Sequence, residues 1–209
     1  MSRPLIAVLR GVTPLEAKDI GSVLIDAGLT RIEIPMSAPS ALKSIETLAK
    51  AYGDAAHIGA GAVLTPQTVI DVAKAGARVV YSPNTDTQVI STAKLAGLQC
   101  YPGVMTPTEC FAALGAGADG LTLFPASLIG PSGLTSLRSV LPVGTQIFAA
   151  NGPDNSGDGD FAAWIAAGAD GFNIGSALYQ PGVPAAEVSQ RARALITAFD
   201  RATPPFLSR

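Results

Sequence analysis

Charge is scarce in this sequence. Only 14% of its 209 residues are Asp, Glu, Lys or Arg, and these nearly cancel to a formal net charge of −2. Nucleic acid and anionic membrane surfaces both recruit a basic excess, so neither is expected as a partner. Although 48% of the chain is hydrophobic, no apolar run approaches the ~20 residues that span a bilayer. The opening stretch Met1–Arg10 has neither a long apolar run nor a small-residue cleavage site, so no export signal is read there. Cys100 and Cys110 are too few for a disulfide framework, and a cytoplasmic location is expected. His57 is the only histidine, and Lys18, Lys43, Lys50, Lys74 and Lys94 are the only lysines. Metal and amine chemistry therefore have few places to sit.

What is present repeats. An amphipathic segment ends in Ala-Gly and an apolar run follows, at Ala27-Gly28, Ala75-Gly76, Ala96-Gly97, Ala116-Gly117 and Ala167-Gly168. Glycine after a helix supplies the left-handed conformation that stops it. The runs that follow are too short for helices and suit strands buried on both faces. A unit of about 20–25 residues accounts for the spacing, two of the steps being double. Filling those steps gives eight strands: Leu5–Arg10, Arg31–Pro35, Ile58–Gly61, Val79–Pro83, Gln99–Pro102, Gly120–Phe124, Gln146–Ala149 and Phe172–Ile174. Helix starts are readable too. Thr13-Pro14-Leu15-Glu16 and Thr106-Pro107-Thr108-Glu109 are capping boxes with Pro at the first helical position, and Thr65-Pro66 opens another helix. Alternating strands and helices at this period predict a parallel sheet. Eight of them in one chain predict a (β/α)8 TIM barrel, a single domain over residues 1–209, rather than an open doubly wound sheet.

In such a barrel the reacting groups sit at the C-terminal ends of the strands. Arg10 and Glu33 interrupt otherwise apolar strands there, and charges are rarely buried without a partner or a use. One account is an Arg10–Glu33 ion pair holding the mouth together. The other is a guanidinium that grips a carboxylate and a carboxylate that moves protons. Asn151-Gly152 after the seventh strand and Gly175-Ser176 after the eighth, backed by a short helix near Ala177–Gln180, fit the usual barrel phosphate site. No metal is expected. His57 falls at the opposite end of the barrel. The loop Asp154–Asp160 resembles a calcium loop, but Ile165 stands where the closing Glu belongs.

Taken together, Ile6–Thr13 (IAVLRGVT), Ile32–Pro39 (IEIPMSAP), Ile58–Leu64 (IGAGAVL), Ser82–Asn84 (SPN), Tyr101–Gly103 (YPG), Leu123–Pro125 (LFP), Gly130-Pro131 and Ile174–Tyr179 (IGSALY) form an ordered series. In this series the chain resembles the 2-dehydro-3-deoxy-6-phosphogalactonate/6-phosphogluconate aldolases, class I pyruvate aldolases, and more closely the galactonate branch. The resemblance implies reversible cleavage of a phosphorylated 2-keto-3-deoxy sugar acid to pyruvate and glyceraldehyde 3-phosphate, with no cofactor. It implies a homotrimer, Glu33 as proton shuttle, and Arg10 on the substrate. It also implies Gly61, Ala62, Pro83 and Phe124 beside the substrate, and the phosphate on Asn151, Gly152, Gly175 and Ser176.

The resemblance breaks at the group that does the covalent work. Where the family carries its Schiff-base lysine, between Leu121 and Leu123, this chain has Thr122. A hydroxyl forms no imine, and the five lysines all fall in predicted helices. Asn151-Gly152 also replaces a Gly-Gly pair, and Ala62 a threonine. Three functions fit the sequence: an aldolase diverged or inactivated at Thr122; a barrel that binds a sugar phosphate without turning it over; or an imine-free phosphate-binding isomerase or lyase with Glu33 as base.

Overall fold

The computed structural model describes residues 3–151 and 159–203. Its strands are β1 (Leu5–Val8), β2 (Arg31–Pro35), β3 (His57–Gly61), β4 (Val79–Tyr81), β5 (Gln99–Tyr101), β6 (Gly103–Val104), β7 (Leu121–Leu123), β8 (Ile147–Ala150) and β9 (Gly171–Ile174). Every pairing is parallel, in the order β5-β4-β3-β2-β1-β9-β8-β7-β6. The strands at the two ends of that order are halves of one stave. Proline has no N–H to give to a ladder, and Pro102 divides the expected fifth strand into β5, paired with β4, and β6, paired with β7. The Pro102 carbonyl still accepts from the Thr122 N–H at 2.8 Å. The sheet thus closes into a (β/α)8 barrel through a single proline. Gly103 is required beside it, because a Cβ there would lie 2.2 Å from the Pro83 carbonyl oxygen.

The helices α1 (Pro14–Ala27), α2 (Ala41–Tyr52), α3 (Pro66–Lys74), α4 (Thr87–Leu95), α5 (Pro107–Gly115), α6 (Ala126–Arg138), α7 (Gly159–Ala166) and α8 (Ala185–Ala202) surround the strands. Their ends follow the local signals. The Thr106 N–H donates to Glu109 Oε2 at 2.8 Å and the Glu109 N–H returns to Thr106 Oγ1 at 3.3 Å. The five Ala-Gly glycines all take positive φ, between 74° and 102°. Among the described residues no helix is long and apolar enough to cross a membrane.

Alternation along each strand sorts side chains onto two faces. Leu5, Ala7, Ile32, Ile34, Leu121 and Leu123 point outward and join one core with the helices. Ile6, Val8, Val79, Tyr81, Tyr101 and Phe148 form a separate cluster inside the barrel. Large and small residues interleave in that interior. A Cβ at Gly120 would lie 2.6 Å from the Tyr101 ring, and one at Gly171 would lie 2.5 Å from Phe148. The Tyr101 and Phe148 rings meet edge to face, 5.4 Å between centroids, and Arg31 lies 5.8 Å over Phe148. This aromatic plug fills the lower barrel, and its members Val8 and Tyr81 also line the space above it. The upper end is left open.

Candidate active site

The opening at the C-terminal ends of the strands is a cavity of about 280 Å³. The strand alternation that puts Ile32, Ile34, Leu121 and Leu123 on the outer face puts Glu33 and Thr122 on the inner one. Both line the cavity, together with Arg10, Ala62, Pro83, Phe124, Asn151 and Gly175. Eight of the residues singled out from the sequence therefore converge at the barrel mouth. Gly61 serves from behind. A Cβ there would lie 1.9 Å from Glu33 Oε1, so the missing side chain is the space that the carboxylate occupies. Ser176 lies just past Gly175, exposed at the rim, and Gly152 and most of Asp154–Asp160 lie outside the described residues.

Some expectations need correction. β1 ends at Val8, so Arg10 belongs to the following turn and is exposed. No ion pair within 4 Å joins it to Glu33 among the described residues. The buried-pair account of these two charges therefore fails. In place of the short helix expected at Ala177–Gln180 there is one turn, in which the Leu178 and Tyr179 N–H groups both donate to the Gly175 carbonyl, at 2.9 and 3.1 Å. That turn is anchored by Tyr179, whose hydroxyl donates to Glu16 Oε1 at 2.9 Å, while Glu16 Oε2 accepts from the Thr13 N–H at 3.2 Å. One carboxylate thus ties the loop after β9 to the start of α1.

Glu33 is the chemically unusual group. It is 7% exposed, and burial pushes its pKa up to about 7, opposed by a hydrogen bond from Asn173 and by the Arg10 charge. Removal from water disfavours the charged form. The result is a carboxylate poised to take or give a proton near neutrality. Asn173 Nδ2 donates to Glu33 Oε2 at 3.1 Å, while Asn173 Oδ1 is buried with no partner. Thr122 is 4% exposed and its hydroxyl donates to the Tyr101 carbonyl at 3.2 Å. Two non-glycine residues of the wall, Ala62 and Asn151, hold φ of 52° and 53°. Asn tolerates that conformation better than Ala does, so the strain falls mainly on Ala62.

All five lysines lie on the outer helices and are exposed: Lys18 on α1, Lys43 and Lys50 on α2, Lys74 on α3 and Lys94 on α4. None lines the cavity. Tyr81 and Asn173 also line it and were not singled out from the sequence, and Ser37 and Ser82, which line it too, were quoted only within the IEIPMSAP and SPN phrases. The available signal was parity: Asn173 alternates with outward Phe172 and Ile174 just as Glu33 alternates with Ile32 and Ile34.

Known proteins of similar sequence and fold identify the family. The family model described as KDPG and KHG aldolase matches residues 1–152. A probable 2-dehydro-3-deoxy-6-phosphogalactonate aldolase of Rhizobium meliloti (strain 1021) is 46% identical over 200 residues, 96% of this chain and 93% of that protein. The 2-dehydro-3-deoxy-6-phosphogalactonate aldolase of Escherichia coli (strain K12) is 42% identical over 95% of this chain and 96% of its own length. A solved structure described as native KDPGal superposes with a TM-score of 0.92 at 40% identity, covering 97% of both chains. This chain belongs to the KDPG and KHG aldolase family.

Proposed function

We propose that this chain, acting as one domain, is an aldehyde-lyase-family protein whose cavity takes 2-dehydro-3-deoxy-6-phosphogalactonate, or its gluconate epimer, and pyruvate. Thr122 closes the covalent route by which such a substrate is cleaved to pyruvate and glyceraldehyde 3-phosphate. One observation carries this: Glu33, Arg10 and Thr122 share a single cavity from which every lysine is excluded. Arg10 grips the carboxylate, Glu33 moves the proton, and Pro83, Phe124 and Ala62 flank the carbon skeleton, with Gly61 leaving room for Glu33. The phosphate lies toward Asn151, Gly152, Gly175 and Ser176, where backbone amides of two loops meet it. Cytoplasmic location and a homotrimer complete the proposal. Leu15, Leu95 and Leu128 are exposed apolar residues of the kind an interface covers, and sedimentation at micromolar concentration tests the assembly.

The experiment is borohydride reduction in the presence of pyruvate, read by intact mass. The chain as it stands gives no adduct. Thr122→Lys gives one, because a lysine aimed into this cavity is partly desolvated and so held in its nucleophilic neutral form. Cleavage rises with it, by a factor on the order of 10^5, as losses of covalent nucleophiles run in reverse. An adduct in the unsubstituted chain would overturn the proposal, as would none in either.

A further inference from the structure

Closing the imine route leaves a base with pKa near neutrality in a cavity without an amine. Thr122 offers a bound ligand no proton, because its single hydroxyl hydrogen is given to the Tyr101 carbonyl. Tyr81 is placed differently. It stands on β4 in the inward-facing row and lines the same cavity as Glu33. Its hydroxyl makes no hydrogen bond to any described residue, whereas that of Tyr101 donates to Gln146 Oε1 at 3.2 Å. The Tyr81 ring is held firmly, stacked on Tyr101 with centroids 5.7 Å apart and planes 26° apart. Gly59 makes the room, since a Cβ there would lie 3.0 Å from Tyr81 Cε2. Burial first, and then the nearby Glu33 charge, push the phenol's pKa upward, so it stays a proton donor. From the other flank Asn173 holds Glu33 Oε2, and its own buried Oδ1 awaits a donor.

We propose that this cavity enolises bound 2-keto acids directly, without an imine. Glu33 is the base, Tyr81 the hydrogen-bond donor at the keto oxygen, and Asn173 the positioning residue for Glu33. The inference rests on the proposal that the cavity takes a 2-keto acid. Glu33 removes a proton from C3, and that C–H pair becomes the C2–C3 π bond. The former carbonyl π pair moves to O2, and the enolate oxygen accepts a hydrogen bond from Tyr81. Return of a proton from Glu33 to C3 restores the ketone, so nothing is oxidised or reduced and no co-reactant is consumed. Isomerases that pair a carboxylate base with uncharged donors at a ketone oxygen achieve this step without metal or imine.

The test follows the methyl protons of pyruvate by NMR in deuterium oxide, with saturation transfer to the same signal reporting binding. The chain exchanges those protons faster than buffer does, and the rate climbs with pH and levels off above about 7, where Glu33 is ionised. Burial sets this midpoint first, opposed by the hydrogen bond from Asn173 on β9 and by the charge of Arg10 in the turn after β1. Tyr81 on β4 and, two residues below Glu33 on β2, Arg31 share the inward face with Glu33. Glu33→Gln, prepared identically, abolishes exchange. Tyr81→Phe keeps the ring packing, the thermal midpoint and the binding signal, and lowers exchange about 100-fold, the usual loss of an oxyanion donor. Asn173→Ala moves the pH midpoint upward, which a purely structural role would leave in place. Bound pyruvate that does not exchange would overturn the inference. Exchange that survives Glu33→Gln, or is indifferent to Tyr81→Phe, would do so as well. Absence of any binding signal would overturn the proposed ligand and the inference with it.

Discussion

The two halves of the barrel interior are built from the same eight staves and face opposite demands. Below, Ile6, Val79, Tyr101 and Phe148 fill the space, with glycines at 120 and 171 set against the bulky rings. The polar atoms there are paired: Tyr101 with Gln146, and Arg31 over an aromatic face. Above, Gly61 clears space for a carboxylate, Ala62 holds a left-handed backbone, and Asn173 Oδ1 has no partner. The lower half gathers stability. The upper half carries strain and a carboxylate held out of water, the kind of cost that accompanies a binding or catalytic site.

Substitutions separate the two halves. Phe148→Ala empties the lower plug and costs about 3–5 kcal/mol of stability, measured by denaturant unfolding. A loss under about 1 kcal/mol would show that the plug is loosely packed and that the contrast is wrong. Glu33→Gln has the opposite sign. The folded-state pKa of about 7 lies above the ordinary 4.5, so the folded chain holds the proton more tightly than the unfolded one. Stability is complete below about pH 4.5 and falls as pH rises toward 7. Glu33→Gln should then stabilise the protein above pH 7 by about 3 kcal/mol and leave it unchanged near pH 4. A gain independent of pH would refute the burial account. The smallest effect is Ala62→Gly, which relieves the left-handed strain and gains about 0.5–1 kcal/mol after glycine's own entropy cost. A destabilised Ala62→Gly would place that strain elsewhere.

The short-range signals were legible because their causes are short-range. Arg31–Pro35 is the strand expected of it, the Ala-Gly stops adopt positive φ, and the Thr106 box closes as its spacing requires. Glu33 and Thr122 stood out as polar residues flanked by Ile32 and Ile34 or by Leu121 and Leu123, and the alternation that revealed them also points them inward. Ala177–Gln180 was overcalled because one turn and a short helix share the same small-residue cues.

Tyr81 and Asn173 were not legible in the same way. An aromatic in a short apolar run reads as core, and Asn173, inside the expected strand Phe172–Ile174, carries no charge to mark it out as Glu33 does. What gives each its meaning is a neighbour distant in the chain: Asn173 meets Glu33 across 140 positions. By itself the sequence determined the strands and helices, their caps and stops, the family, and the absence of an amine from the barrel wall. These follow from local propensity, period and composition. Only closure of the sheet through Pro102 decided which inward residues share the cavity, that Arg10 stands apart from Glu33, and that burial lifts the Glu33 pKa. Those outcomes depend on what lies across the barrel and on how much water it excludes.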